Sequence, residues 1–249
     1  MRENMNNYTE SKYVGKYREY KFEFEGRPAE VAFPENMTDG AAWAFKTEYS
    51  GAFPAIETRL LEKGLGRAFL KNTNRWGIPE DLHAKARFAK FLHEEFGFSE
   101  KCVPVGYSCG GLMAVKFAAY HPECVSVLYI DAPVINYYDC PLRLGRCDSP
   151  LNFGQEMLNA LGLTLSELGG YRDQPLDCLP KVIEAKIPCA LVYGDADDVV
   201  HHLYNARFVE RAYKDTGIDF YTETVPGRGH HPHEPINFDA AVDFIMKHI

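Results

Sequence analysis

The sequence predicts an α/β fold, a mostly parallel sheet with helices on both faces. Three observations predict it. Short apolar runs at Cys102 to Val105, Val125 to Ile130 and Pro188 to Tyr193 read as strands buried on both sides, the pattern of an inner parallel sheet. Helical segments alternate with these runs, and such alternation lays helices over both faces of one sheet. Between the first run and its helix stands Gly106-Tyr107-Ser108-Cys109-Gly110, a G-x-S-x-G joint leading into the helical stretch Leu112 to Tyr120.

Each element follows from a local pattern. Tyr17 to Phe24 and Ala29 to Phe33 flank the turn Gly26-Arg27-Pro28, and Tyr20, Phe22 and Phe24 alternate with Lys21, Glu23 and Glu25. That period of two predicts a half-exposed antiparallel hairpin. Pro34 to Gly40 is a loop by composition. Ile56, Leu60 and Leu61 share one side of a helix over 54–63 that ends at Gly64. Ala68-Phe69-Leu70 is a short strand, and Asn72 to Pro79 is a loop holding Trp76. Glu80 to Phe96 is amphipathic, with Leu82, Phe88, Leu92 and Phe96 near helical spacing. The helix after Ser108 stops near His121-Pro122, because a residue before proline is pushed out of helical geometry.

Residues 134–187 break this rhythm with aromatics, glycines and prolines around one helix near Gln155 to Ala160. They read as a lid inserted over the site, within a single domain spanning 1–249. A helix at Leu203 to Tyr213, a strand at Phe220 to Val225 and a last helix at Phe238 to Lys247 complete the order.

Composition narrows the function. The 249 residues are 46% apolar, enough to bury a sizeable core. The net charge of −8 argues against nucleic acid as a partner, since a binder of phosphates needs a basic face. Met1 to Asn7 is polar with no apolar stretch behind it, and no later segment is long enough to span a bilayer. A cytoplasmic chain without membrane partners is expected. Seven cysteines are scattered along it. Free thiols are therefore expected, although Cys140 and Cys147 bracket a short loop and would pair under oxidising conditions.

The chemistry starts at Ser108. The tight turn there leaves no space for bulk two residues to either side, a need met by Gly106 and Gly110. The following helix points its free N–H groups at the same spot, which favours developing negative charge. A serine hydroxyl needs a base in hydrogen-bond reach, usually histidine held by a carboxylate. Acids follow a predicted strand at Asp195, Asp197 and Asp198, and Asp131 follows the preceding strand as an alternative. Histidines cluster at His230, His231 and His233 after the strand ending at Val225, with His201 and His202 nearby. Those five histidines raise a metal site, but no metal-binding spacing such as H-E-x-x-H is present, so neither metal nor cofactor is expected.

On these residues the chain resembles the α/β-hydrolase superfamily. Its acid loop commonly reads G-x-x-D-x-x-V-P, which matches Gly194, Asp197 and Val200, with His201 in place of the proline. Its G-H signature matches Gly229-His230. The resemblance covers roughly 30–133 and 188–249. It implies an esterase or related acyl hydrolase with Ser108 as nucleophile, His230 as base and Asp197 as orienting acid, acting on a small-molecule ester; a peptidase, a perhydrolase and a non-catalytic small-molecule binder on the same fold are the alternatives. It also implies an oxyanion hole. One N–H belongs to Cys109; the other is placed near Asn36, with a donor further towards Trp43 as the alternative. Aromatics in the expected rim segments, Tyr107, Trp43 and Tyr137 with Trp76 and Tyr138, would either stack on a sugar or ring or pack in core and lid.

Overall fold

A computed structural model describes residues 8–249; the polar opening stretch, residues 1–7, lies outside the described residues. The chain begins with strands β1 (Thr9–Tyr13), β2 (Tyr17–Phe24) and β3 (Arg27–Ala32). The expected hairpin is β2 with β3, antiparallel, with Phe24 opposite Arg27. Its two-residue turn is Glu25-Gly26, both at positive φ (51° and 72°), the turn that matches strand twist. β1 adds in front of β2, an element the sequence pattern did not reveal.

Next come β4 (Trp43–Lys46), α1 (Ala55–Glu62), β5 (Gly66–Leu70), α2 (Pro79–Phe96), β6 (Val103–Tyr107), α3 (Cys109–Tyr120) and β7 (Leu128–Asp131). Helices α4 (Phe153–Leu161), α5 (Leu165–Leu168) and α6 (Pro175–Glu184) follow, then β8 (Cys189–Gly194), α7 (Ala206–Tyr213), β9 (Phe220–Val225) and α8 (Phe238–Lys247). The sheet order is β1-β2-β3-β5-β4-β6-β7-β8-β9. From β5 to β9 every pairing is parallel, and β1, β2, β3 and β5 pair antiparallel.

Apolar side chains on both faces of the inner strands hold the layers together. On one face Val31, Phe45, Ile130 and Leu191 pack against Phe88 of α2, Phe117 of α3, Val182 of α6 and Val209 of α7. On the other, Ala44, Val105, Tyr129 and Val192 pack against Leu60 of α1 and Ile245 of α8. Each large side chain buried this way contributes about 1.5–3 kcal/mol. Among the described residues no helix is long and apolar enough to cross a membrane.

The stretch 134–187 divides into two parts. Its turns and α4 and α5 form the cover, with Tyr137, Met157, Leu158 and Leu168 packed on Trp76 and Leu112. Its last helix, α6, lies among the sheet-covering helices against α3 and α7, so the expected insertion does not take in the whole of 134–187. Pro180 inside α6 disguised that helix in the sequence. All seven cysteines are free thiols, Cys140 and Cys147 included.

Candidate active site

β6 delivers Ser108. All five residues of the strand are buried, and the chain reverses into α3 with Ser108 at φ 53°, ψ −120°. The glycines make this possible. A Cβ on Gly106 would lie 2.3 Å from the Gly110 carbonyl oxygen, and one on Gly111 would lie 2.5 Å from Pro133. The Ser108 N–H donates to Asp131 O (3.0 Å), and its carbonyl accepts from Gly111 N and Val134 N, each at 3.0 Å. The elbow is thus fixed by main-chain bonds on both sides. Cys109 opens α3, so its N–H has no partner one turn back and faces the serine end of the helix. Burial pushes its thiol up to about 12, so the side chain stays protonated at neutral pH.

β8 delivers Asp197, which is 2% exposed. One carboxylate oxygen accepts from Val199 N (3.0 Å) and Val200 N (2.9 Å). The other faces His230 Nδ1 at 2.8 Å. His230 Nε2 lies 3.1 Å from Ser108 Oγ. Three side chains distant in the sequence therefore form one continuous hydrogen-bonded line. An alcohol so placed can pass its proton to the imidazole, and the carboxylate stabilises the imidazolium that results.

The neighbouring candidates do other work. Asp195 is exposed and accepts from Gly227 N (2.6 Å), and Asp198 is exposed. Asp131 is buried and faces the Arg228 guanidinium through both oxygens, one contact being 3.1 Å. Arg228 also donates to Glu234 O (2.6 Å), so it pins the histidine loop from both ends. That loop also closes on the acid loop. Ala196 N donates to Arg228 O (3.1 Å), and a Cβ on Gly194 would lie 2.0 Å from that same oxygen. His201 and His202 stack on each other away from the serine cavity, with His201 Nδ1 accepting from Leu203 N (3.3 Å).

The early-loop expectation needs correction. Asn36 follows β3, which pairs with β2 and β5, and it lines a separate cleft with Lys16, Tyr17 and Leu61. On the side of β6 away from β7 lies β4, with Ala44 opposite Val103 and Lys46 opposite Val105. The loop after β4 is therefore the one against the elbow. Thr47 Oγ1 donates to Gly110 O (2.7 Å), and Tyr49, Ala52 and Phe53 line the cavity at Ser108. Buried charges anchor this loop: Lys46 Nζ donates to Ala52 O (2.7 Å) and Glu57 (2.8 Å), and Arg67 donates to Ser50 O (2.6 Å).

The three aromatics expected to meet substrate are also corrected. Trp43, Tyr107 and Tyr137 are all buried. Trp43 Nε1 donates to Ser99 O (3.0 Å), Tyr137 Oη donates to Trp76 O (2.7 Å), and the Tyr107 ring lies under Lys46 Nζ. None lines the cavity of about 680 Å³ over Ser108. Its apolar wall is Tyr49, Phe53, Pro150, Leu151, Phe153 and Val199. Arg143, Asp148 and Ser149 supply polar groups, and His230, His231 and His233 form the remaining side. These residues carry no motif; for Tyr49 and Phe53 the signal was their place just after a strand next to the elbow.

No family model matches the chain, and no curated protein matches it in sequence. Solved structures match in shape. Acylaminoacyl peptidase of Pyrococcus horikoshii superposes at TM-score 0.71 and 16% identity, over 98% of this chain and 42% of that one. Dipeptidyl peptidase 4 of Porphyromonas gingivalis gives 0.69 at 14%, over 97% and 35%. An S-formylglutathione hydrolase of Agrobacterium tumefaciens gives 0.62 at 12%, over 97% and 96%. The chain spans less than half the length of the two peptidases and nearly all of the third. With this sheet order, this elbow and these neighbours, the chain has the α/β-hydrolase fold.

Proposed function

We propose that the protein is a serine hydrolase that cleaves carboxylic esters of small molecules through an acyl-enzyme. The observation that carries this reading is the line from Ser108 Oγ to His230 (3.1 Å) to Asp197 (2.8 Å). Ser108 Oγ attacks the ester carbonyl carbon while its proton passes to His230 Nε2. The resulting oxyanion takes the N–H of Cys109 and a second N–H from the loop after β4, at Tyr49. Collapse breaks the ester C–O bond, and the alcohol leaves with the proton from His230. A water then gives its proton to His230 and attacks the acyl carbon, releasing the acid and restoring Ser108. Asp197 holds the imidazole tautomer throughout. No step calls for a cofactor.

The cavity supports a substrate with an apolar part larger than acetyl. A volume of about 680 Å³ is that of a small-molecule site. Its wall of Phe53, Leu151, Phe153 and Val199 favours hydrocarbon. A sugar substrate loses its main support, since Trp43, Tyr107 and Tyr137 are buried.

The test is turnover of p-nitrophenyl esters from acetyl to octanoyl by wild type and Ser108→Ala. The expected result is kcat/KM rising beyond acetyl and a loss of about 10⁴-fold or more in the variant. Equal rates in the two proteins would refute the nucleophile.

A further inference from the structure

His230, His231 and His233 crowd one wall of the cavity. A ring nitrogen of each lies within 4.8 Å of the others. The His233 ring stands edge to face with both neighbours, at 4.7 Å from His230 and 4.9 Å from His231. His233 is the unexplained member. It is buried, yet among the described residues neither ring nitrogen has a well-formed hydrogen bond. Leaving a buried polar group unpaired costs about 1–3 kcal/mol. Asp131 Oδ1 stands 3.5 Å behind its Nδ1, as Asp197 stands behind Nδ1 of His230. A carboxylate behind an imidazole is the outer shell that orients histidine ligands on a metal. Among the described residues Arg228 is the cation that bears on His233, and Asp131 faces it directly.

We propose that His230, His231 and His233 bind one divalent transition metal, best Zn²⁺, and that the bound metal switches Ser108 off. Three imidazoles with a fourth position open to water suit zinc. Tetrahedral ligation at Zn–N distances of about 2.0–2.1 Å sets the nitrogens about 3.4 Å apart. His231 is exposed, and its ring stacks on Phe53 at 5.4 Å; giving up that contact lets the side chain rotate and close the present gap. Both nitrogens of His230 are already engaged, one with Asp197 and one with Ser108. A metal on either nitrogen displaces one of those bonds. Without Ser108 the base loses its proton donor; without Asp197 it loses its orientation. The silencing rests on His230 being the base; the binding does not.

The test is calorimetric titration of ZnCl₂ into the full, tag-free chain, beside ester turnover at the same zinc concentrations. The expected result is one Zn²⁺ per chain, removed by EDTA, with turnover falling at the same midpoint. His231→Ala, an exposed change that leaves the fold alone, weakens binding about 10-fold or more, and His233→Gln does likewise. Ser108→Ala binds zinc as wild type does. Absence of binding, or binding indifferent to His231→Ala, overturns the site. Binding without loss of turnover overturns the switch. Binding in a wild type that turns over no ester upholds the metal site and rejects the hydrolase reading instead.

Discussion

Ser108 is held chiefly by main chain, whereas the His230 ring is held chiefly by side chains. Around Ser108 the constraint is space: Gly106 and Gly110 pass so closely that a Cβ on Gly106 would lie 2.3 Å from a carbonyl oxygen. Around His230 the constraint is charge: Asp197 orients the ring, and Arg228 on Asp131 fixes the loop that carries it. The difference teaches where each part breaks. A steric constraint fails all at once when a side chain is added. An ion pair fails by degrees, according to how much charge is left unpaired.

The largest effect is therefore expected at the elbow. Gly106→Val places three carbons where one already collides with backbone, so the turn must open. Turnover should drop to the level of Ser108→Ala, a loss of about 10⁴-fold. Full activity in Gly106→Val would break the comparison on its steric side.

The next effect tests the side-chain support. Arg228→Met leaves Asp131 charged and buried without its partner, at a cost of about 3–5 kcal/mol. Thermal unfolding should move down by about 6–20 °C for a chain of this size. Adding Asp131→Asn should recover most of that loss, because the orphaned charge is then gone. A double variant as unstable as Arg228→Met would show that Arg228 acts through Glu234 O and packing instead.

A smaller effect lies far from both loops, at Lys85 on α2. It is buried, donates to Leu70 O (3.0 Å) and forms no ion pair among the described residues. Burial pushes its ammonium down to about 8 from 10.5. The native chain then binds fewer protons than the unfolded chain between those values, so stability from this group grows as pH rises through the window. The gain across the window is about 3–4 kcal/mol at most. The Tm of wild type minus that of Lys85→Met should rise from pH 8 to pH 10. A flat difference would mean that Lys85 keeps its ordinary affinity for protons.

The same contrast explains what could be read from the sequence. Apolar runs and helical spacing gave Tyr17–Phe24, Phe220–Val225 and Phe238–Lys247 at their observed ends. The elbow was legible because few residues but glycine tolerate it. Ser108, Asp197 and His230 were legible because each stands just past a predicted strand, in order, and the structure brings these three together. β4 was not legible. Its four residues are buried on both faces and carry a lysine whose partner, Glu57, lies on α1. Missing β4 sent the expected oxyanion donor to Asn36 and left Trp43 on a rim when it belongs to the core. Arg228 was silent for a similar reason: its partner Asp131 is nearly a hundred positions away, and only the fold pairs them.

The central claim is that Ser108 is a nucleophile made reactive by His230. The most direct measurement is labelling with a fluorophosphonate followed by peptide mapping of the modified chain. The account predicts one adduct per chain, on Ser108, with labelling lost in His230→Ala. An unlabelled wild type, an adduct on another residue, or undiminished labelling in His230→Ala would contradict it.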